Sequence, residues 1–282
     1  MTHAITLHTP HGTVTGIEEE GGPGLPLLVC IPGGSYNSHY FDVAGHSFLD
    51  AAHEAGFSVV ALDRPGYQGS DPVEGEVTFA KNAIVLDAAI AELWKRYADT
   101  ATGVVLIGHS MGGAIAIHMA GQPHSWPLLG ISATSIHTDA PQQVTDAWNS
   151  IPADATIPFS KEQRIQFMYG PEGSYDPAVV DDADVATELI PVAELLEVVG
   201  GWIADFPTLA AAVTVPVHYA LAEHEALWIS TDENVTAFGD AFTASPRVKT
   251  QRVSGAGHNL DHHSNSAELH ACQLEFASSL SA

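Results

Sequence analysis

Short apolar runs alternate with longer amphipathic segments along most of this chain. The runs are rich in β-branched residues and predict strands at 4–8, 13–17, 27–31, 57–62, 103–107, 128–133, 217–221 and 247–253. Helices are predicted near 43–55, 79–97 and 113–120, and the apolar residues of the second recur at steps of three and four. Strands that alternate with helices at this spacing predict an α/β fold, with a mostly parallel central sheet and helices on both of its faces.

The pattern changes in the middle of the chain, between 137 and 207. This stretch is interrupted by prolines, is rich in Asp and Glu, and has only Lys161 and Arg164 as basic residues. It contains helical pieces such as 192–199, and the α/β alternation resumes after it. We therefore predict a core formed by 1–136 and 208–282, with 137–207 inserted as a mostly helical cap above the carboxyl edge of the sheet.

The net charge of the chain disfavours some classes of binding partner. Nine Lys and Arg residues stand against 34 Asp and Glu residues, which gives a formal net charge of −25. So few cations disfavour a nucleic-acid partner, because its phosphates need neutralising, and they also disfavour an anionic membrane surface. The 45% hydrophobic content predicts a sizeable buried core.

The two cysteines, Cys30 and Cys272, lie in apolar patterns without metal-ligand spacing. We expect reduced thiols, no metal site and no organic cofactor. The first residues lack a basic region followed by an apolar core, and no apolar run reaches the length of a membrane span. These features predict a cytoplasmic protein and leave its oligomeric state open.

The candidate nucleophile is Ser110, in the pentapeptide Gly108-His109-Ser110-Met111-Gly112. A predicted strand precedes it and a predicted helix follows it. A serine in that setting, with glycines two residues away on each side, has the form of a nucleophile elbow. The bend is so sharp that a side chain at either glycine position would clash, and it exposes the hydroxyl at the end of the sheet.

A serine hydroxyl needs a base to accept its proton and a third group to hold that base. Among the 16 histidines, His258 is distinguished by the glycine loop before it and by its place after the last predicted strand. The strand 217–221 is followed by two carboxylates, Glu223 and Glu225. We predict Glu225 as the acid, with Glu223 as the alternative.

Acyl transfer also needs donors for the developing oxyanion. The backbone N–H of Met111, the residue after the nucleophile, is one candidate. The other is Gly34, with Ser35 as the alternative, in the loop Pro32-Gly33-Gly34-Ser35 that follows the strand 27–31.

Three motifs together resemble the α/β-hydrolase superfamily. They are Gly108-His109-Ser110-Met111-Gly112-Gly113, Asp63-Arg64-Pro65-Gly66-Tyr67-Gln68-Gly69-Ser70 and Gly255-Ala256-Gly257-His258. The order of serine, acid and histidine along the chain is similar as well. The resemblance implies an α/β-hydrolase fold with a cap and, for Ser110, Glu225 and His258, the roles of a catalytic triad.

The chain departs from the pattern of that superfamily at two places. Pro32-Gly33 stands where His-Gly is usual at the oxyanion turn. The usual acid is an aspartate three residues after a glycine, and here Ala222 and Glu225 occupy those positions. The extra methylene of a glutamate shifts its carboxylate.

We hypothesise a serine hydrolase that cleaves an ester, thioester or related acyl bond of a small molecule. One alternative is an aminopeptidase similar to proline iminopeptidases, in which cap acids such as Asp181, Asp182, Asp184 and Glu188 recognise the free amine of a short peptide. Another is a non-hydrolytic enzyme of the same fold that epimerises a peptide-like or polyketide-like metabolite. Side chains expected to line the pocket are Tyr36, His39, Tyr40, Trp148, Phe167, Met168 and Trp228.

Overall fold

The computed structural model describes residues 2–281 and contains a central sheet between layers of helices. The strands are β1 (His3–Thr9), β2 (Gly12–Glu19), β3 (Leu27–Ile31), β4 (Val59–Leu62), β5 (Val104–His109), β6 (Leu128–Thr134), β7 (Thr156–Ile157), β8 (Ile190–Pro191), β9 (Val217–Ala222) and β10 (Val248–Val253). The α-helices are α1 (Phe48–Glu54), α2 (Phe79–Tyr97), α3 (Met111–Ala120), α4 (Gln142–Asn149), α5 (Lys161–Met168), α6 (Ala178–Asp182), α7 (Val192–Val199), α8 (Gly201–Ala212), α9 (Asp232–Asp240) and α10 (Ser266–Ser278).

Eight strands form the main sheet in the order β1-β2-β4-β3-β5-β6-β9-β10. All the pairings from β4 to β10 are parallel, and only β2 runs antiparallel to its neighbours β1 and β4. The remaining two strands, β7 and β8, pair separately as a short antiparallel ribbon. The predicted mostly parallel α/β sheet is thus confirmed, with β5 near its centre.

Successive residues of β3 face opposite sides of the sheet, and both sides are buried. Leu27, Val29 and Ile31 belong to the cluster that includes the apolar faces of α2 and α3. Leu28 and Cys30 belong to a second cluster, with residues of α1 and α10. Because both faces are covered, the strand is a continuous apolar run rather than an alternating one.

Some boundaries differ from those predicted. The helix expected over 43–55 begins only at Phe48, because Gly45 has φ +74° and Ser47 caps the helix by accepting from the Asp50 amide at 3.0 Å. The strand expected from 57 begins at Val59. Helix α9 was not predicted, because its polar sequence has only a short apolar stripe.

The segment between β6 and β9 contains α4–α8 and the β7–β8 ribbon. The predicted cap boundary at 207 lies inside α8, which continues through Pro207 to Ala212. The end of α8 packs on α3, since a Cβ at Gly121 would lie 3.2 Å from Cβ of Ala212. One helix therefore belongs to both units.

Within residues 2–281 no single helix is long and apolar enough to span a membrane. Helices α7 and α8 taken together are long and apolar enough for a span by length and composition, but they are bent by 56° at the break between them.

A buried ion pair joins the segment between β6 and β9 to the core. Arg64, in the loop after β4, donates from Nη1 and Nη2 to the two carboxylate oxygens of Glu194 on α7, at 3.0 and 2.9 Å. The Tyr67 hydroxyl donates to the same carboxylate at 2.8 Å. The side chains of Arg64 and Glu194 are 0% and 1% exposed, so water does not weaken this contact.

We predict that Arg64→Met lowers the free energy of unfolding by about 3–5 kcal/mol, because it leaves the Glu194 carboxylate buried without its cation. The double variant Arg64→Met/Glu194→Leu removes both charges and should recover most of that loss. Urea denaturation measures both. As a control, Lys95→Met breaks an exposed pair with Glu92 and should cost about 0–1 kcal/mol. Equal losses in the single and double variants would contradict the prediction.

The buried imidazole of His218 predicts that the folded protein loses stability in acid. Burial, with a smaller effect of Lys249, lowers the pKa of His218 from 6.5 to about 4. The unfolded chain therefore binds the extra proton between about pH 6.5 and pH 4. The stability that this neutral imidazole contributes is complete above pH 6.5 and is lost as the pH falls toward 4.

When the pH is lowered from about 7.5 to about 5, we expect the free energy of unfolding to fall less in His218→Gln than in the wild type. The difference should be on the order of 2 kcal/mol. Urea denaturation at the two pH values gives the difference. His8→Gln, at an exposed position of β1, is the control and should follow the wild-type pH dependence. A wild-type pH dependence in His218→Gln would show that this imidazole is not responsible.

Candidate active site

Ser110 forms the bend between β5 and α3. Its backbone has φ 52° and ψ −121°, a conformation that non-glycine residues rarely adopt. A Cβ at Gly108 would lie 2.5 Å from the Gly112 oxygen, and a Cβ at Gly112 would lie 2.0 Å from the Ile31 oxygen. Both glycines are therefore required by close backbone contacts, as the sequence predicted, and the strain holds the Ser110 side chain in a fixed direction.

The three predicted triad residues lie together at the carboxyl edge of the sheet. Oγ of Ser110 is 3.0 Å from Nε2 of His258. Nδ1 of the same imidazole is 2.9 and 3.0 Å from the two carboxylate oxygens of Glu225. The side chains of His258 and Glu225 are 3% and 0% exposed. The extra methylene of the glutamate therefore does not prevent a contact with the imidazole.

The two candidate acids have different partners. Glu223 accepts from the Ser254 hydroxyl at 2.7 Å and from the Gly255 amide at 2.9 Å. These hydrogen bonds lower the pKa of Glu223. Glu223 thus fixes the start of the loop that carries His258, whereas Glu225 contacts the imidazole itself.

The glycine loop before His258 packs tightly against the segment between β6 and β9. A Cβ at Gly257 would lie 2.4 Å from the Gly170 nitrogen and from the carbonyl carbon of Tyr169. The Gly257 amide donates to Nε2 of His263 at 2.9 Å. The loop can bring the imidazole to Ser110 only because position 257 has no side chain.

The loop after β3 places two glycines beside the nucleophile. A Cβ at Gly33 would lie 2.9 Å from Cβ of Ser110, and a Cβ at Gly34 would lie 2.8 Å from Sδ of Met111. Within the described chain, neither the Gly34 amide nor the Met111 amide has a protein acceptor. The Ser35 amide contacts the Tyr67 hydroxyl at 3.4 Å, which favours Gly34 as the second donor.

The buried Arg64 also positions this loop. Its Nη2 donates to the carbonyl oxygen of Gly33 at 3.1 Å, in addition to its bonds with Glu194. The carbonyl is therefore held away from the nucleophile, and the following amide, that of Gly34, is left free. Sequence analysis did not identify this role of Arg64.

A small chamber lies over Ser110, with a volume of about 20 Å³. Four of the side chains expected to line it do so: Tyr36, Trp148, Met168 and Trp228. Others that sequence analysis did not name are Phe159, Ile190, Leu195, Val198 and Leu227. The chamber is thus mostly apolar apart from Ser110, Ser35, Tyr36, His109 and His258.

Three expected lining residues lie elsewhere, and these predictions are corrected. The Tyr40 ring stacks on His109 with centroids 4.3 Å apart, and its hydroxyl donates to Asp261 at 3.0 Å, behind the elbow. His39 lies half-buried outside the chamber, on the 3-10 helix Ser38–Phe41 that also carries Tyr40. Phe167 packs against the main apolar cluster instead.

His109 keeps the back of the site neutral. Burial lowers the pKa of His109 well below its ordinary value, and the adjacent His258 lowers it further. The two rings are 5.2 Å apart. A neutral His109 adds no positive charge that would oppose protonation of His258.

A further serine, which the sequence did not single out, supports His258 from its backbone. The Ser135 hydroxyl donates to the His258 carbonyl at 2.6 Å, and Nε1 of Trp228 donates to the Ser135 carbonyl at 3.1 Å. Ser135 directly follows β6. A polar residue at the end of a predicted strand is the one signal that could have indicated it.

Residues 2–281 contain no group of three or more His, Cys, Asp or Glu side chains that could hold a metal ion.

Comparisons with known proteins bear on the fold and the family of this chain. A curated relative, 2-succinyl-6-hydroxy-2,4-cyclohexadiene-1-carboxylate synthase of Escherichia coli O8 (strain IAI1), is 30% identical over 108 residues. The match covers 37% of this chain and 36% of that protein, so the chain matches about a third of the length of this relative.

Two solved structures are similar over nearly the whole chain. A thermophilic esterase from Thermogutta terrifontis with malate bound has 18% identity and a TM-score of 0.71, covering 99% of this chain and 100% of that one. A highly thermostable carboxyl esterase from Bacillus coagulans in complex with glycerol has 16% identity and a TM-score of 0.74, covering 100% and 99%. At these identities the likeness shows the fold.

A family model described as the alpha/beta hydrolase family matches residues 28–271. Because the match spans most of the chain, this protein belongs to the alpha/beta hydrolase family of enzymes.

Proposed function

We propose that the protein is a serine hydrolase that cleaves the ester, thioester or related acyl bond of a small molecule through an acyl-enzyme. The observation that carries the proposal is the continuous chain of contacts from Ser110 Oγ to His258 at 3.0 Å and on to Glu225 at 2.9 Å. A hydroxyl, an imidazole and a buried carboxylate in this sequence of contacts make an activated nucleophile.

In the proposed reaction, Oγ of Ser110 attacks the carbonyl carbon while Nε2 of His258 takes its proton. Glu225 holds the imidazole in the tautomer that accepts at Nε2 and stabilises the imidazolium. The free amides of Gly34 and Met111 donate to the oxyanion. His258 then gives its proton to the leaving group, and a water molecule cleaves the acyl-enzyme by the same steps.

The chamber supports an uncharged substrate rather than the amine of a peptide. Among the described residues that line it there is no carboxylate to pair with an ammonium group. Two of the acids expected to recognise an amine have other partners, since Asp181 contacts Lys161 and Asp184 contacts Arg164. Together with the esterase fold neighbours, this favours ester-type substrates over the aminopeptidase alternative.

We expect a fluorophosphonate to label the protein at Ser110, as measured by peptide mass spectrometry. Ser110→Ala should abolish the label and lower kcat/KM for p-nitrophenyl acetate by about 10⁴-fold or more. A matched control is Ser266→Ala, because the Ser266 hydroxyl also lies 3.0 Å from an imidazole nitrogen, that of His46, and has no elbow. This variant should label like the wild type.

Retained ester hydrolysis in Ser110→Ala would refute the proposal. Labelling of Ser110 without turnover of any ester or thioester would instead support the non-hydrolytic alternative.

We also expect Glu225→Gln to lower kcat by about 10³–10⁴-fold, because an amide cannot stabilise the imidazolium. Glu223→Gln is the matched control, since it removes the rival carboxylate two residues away, and it should leave kcat nearly unchanged. Steady-state kinetics with p-nitrophenyl acetate measures both. A larger loss in Glu223→Gln than in Glu225→Gln would reverse the assignment of the acid.

A further inference from the structure

The chamber over Ser110 is too small for most acyl groups. Its volume of about 20 Å³ leaves room for roughly one water molecule. Ser110 itself is only 9% exposed. A substrate longer than a simple acetyl ester can therefore react only if one wall of the chamber moves.

A much larger cleft lies directly beyond one wall. It has a volume of about 780 Å³ and separates the loop after β4 from the β7–β8 ribbon and the start of α7. Such a volume is within the range of about 300–1,000 Å³ that is usual for ligand pockets. Exposed residues such as Gly66, Pro158 and Leu189 are at its edge, so the cleft opens to solvent.

Phe159 is the one described residue that lines both the chamber and the cleft. Its backbone is fixed, because its carbonyl accepts from Nη1 of Arg164 at 3.3 Å and Ser160 forms a capping box at the start of α5. Rotation of the side chain is then the smallest motion that joins the two spaces.

The charged side chains of the cleft are already paired. Arg164 contacts Asp184, and Glu194 is bonded to Arg64 and Tyr67. Glu188 accepts from the Gln68 amide at 3.0 Å and from Nδ2 of Asn37 at 3.1 Å. Apart from Thr156 and Thr187, what remains to contact a ligand is apolar, in particular Pro72, Val73, Val77, Pro158, Leu189 and Pro191.

The strand order indicates which part of a substrate extends into the cleft. His258 follows β10, on one side of the central β5, and the cleft adjoins the loop after β4, on the other side. The leaving group must face His258, which protonates it. The acyl group then extends in the opposite direction, toward Phe159.

We propose that this cleft binds the distal part of an uncharged, medium-length alkyl acyl group, and that Phe159 determines the acyl length that the enzyme accepts. The proposal rests on the proposed function of Ser110 as an acylated nucleophile.

The test measures kcat/KM for p-nitrophenyl esters from acetate to decanoate, with active sites counted by fluorophosphonate titration. Phe159→Ala should raise the ratio of octanoate to acetate by about tenfold or more, and Phe159→Trp should lower it. Adding Leu189→Glu to Phe159→Ala places a charge in the cleft and should reduce octanoate turnover again without affecting acetate. Phe167→Ala, an aromatic of α5 outside both spaces, is the matched control and should keep the wild-type ratio.

An unchanged ratio in Phe159→Ala, with acetate still hydrolysed, would overturn the inference and leave the proposed function intact. If Phe159→Ala does not fold, Phe159→Leu takes its place under the same criteria.

A second series of substrates keeps the acetyl group and lengthens the alcohol. If the Phe159 variants change kcat/KM with the length of the alcohol and not with the length of the acyl group, the assignment of the cleft to the acyl group is wrong. No hydrolysis of any ester of the series by the wild type would refute the proposed function itself.

Discussion

The contact between the start of α3 and the end of β3 determines the geometry of the whole site. Gly112 lies so close to β3 that a Cβ there would be 2.0 Å from the Ile31 oxygen. This approach forces Ser110 into a conformation with φ 52°. The same approach brings the loop after β3 beside the hydroxyl, since Gly33 lies almost against Cβ of Ser110. The positions of the proposed nucleophile and of the proposed oxyanion donors thus follow from one backbone contact between α3 and β3.

The imidazole is held independently, by contacts from three directions. Glu225 binds its Nδ1, the Ser135 hydroxyl binds the His258 carbonyl, and Gly257 packs on the backbone of Tyr169 and Gly170. Residues that follow β6 and β9, and residues of the segment between these strands, therefore orient one side chain. A proposed base held in this way would lose little conformational freedom when the proton moves, which is the condition for efficient general-base catalysis.

Hydrophobic patterns within short stretches of sequence predicted the strands and helices that depend on interactions within those stretches. The bounds of β3 and α2 agree with the structure residue for residue, because a continuous apolar run and a single apolar stripe each specify one element. Strand ends and glycine loops mark where side chains meet, so the sequence also indicated that Ser110, His258 and Glu225 would lie together. Their roles as a triad stay a prediction. Tyr40 was misassigned because periodicity does not reveal which face of a short 3-10 helix points to a cavity. The pair of Arg64 and Glu194, 130 residues apart, has no local signal at all.

The pair of Arg64 and Glu194 affects which part of the structure can move to admit a substrate. Lifting α7 from the core would break the three buried hydrogen bonds that the Glu194 carboxylate accepts from Arg64 and Tyr67. Arg64 also holds the Gly33 carbonyl, so the same movement would disturb the oxyanion loop. Moving one aromatic side chain off its preferred rotamer costs only about 0.5–1.5 kcal/mol. Rotation at Phe159 leaves those bonds intact. This favours opening there over movement of the whole segment between β6 and β9, and it lets the proposed oxyanion donors stay in place while a substrate enters.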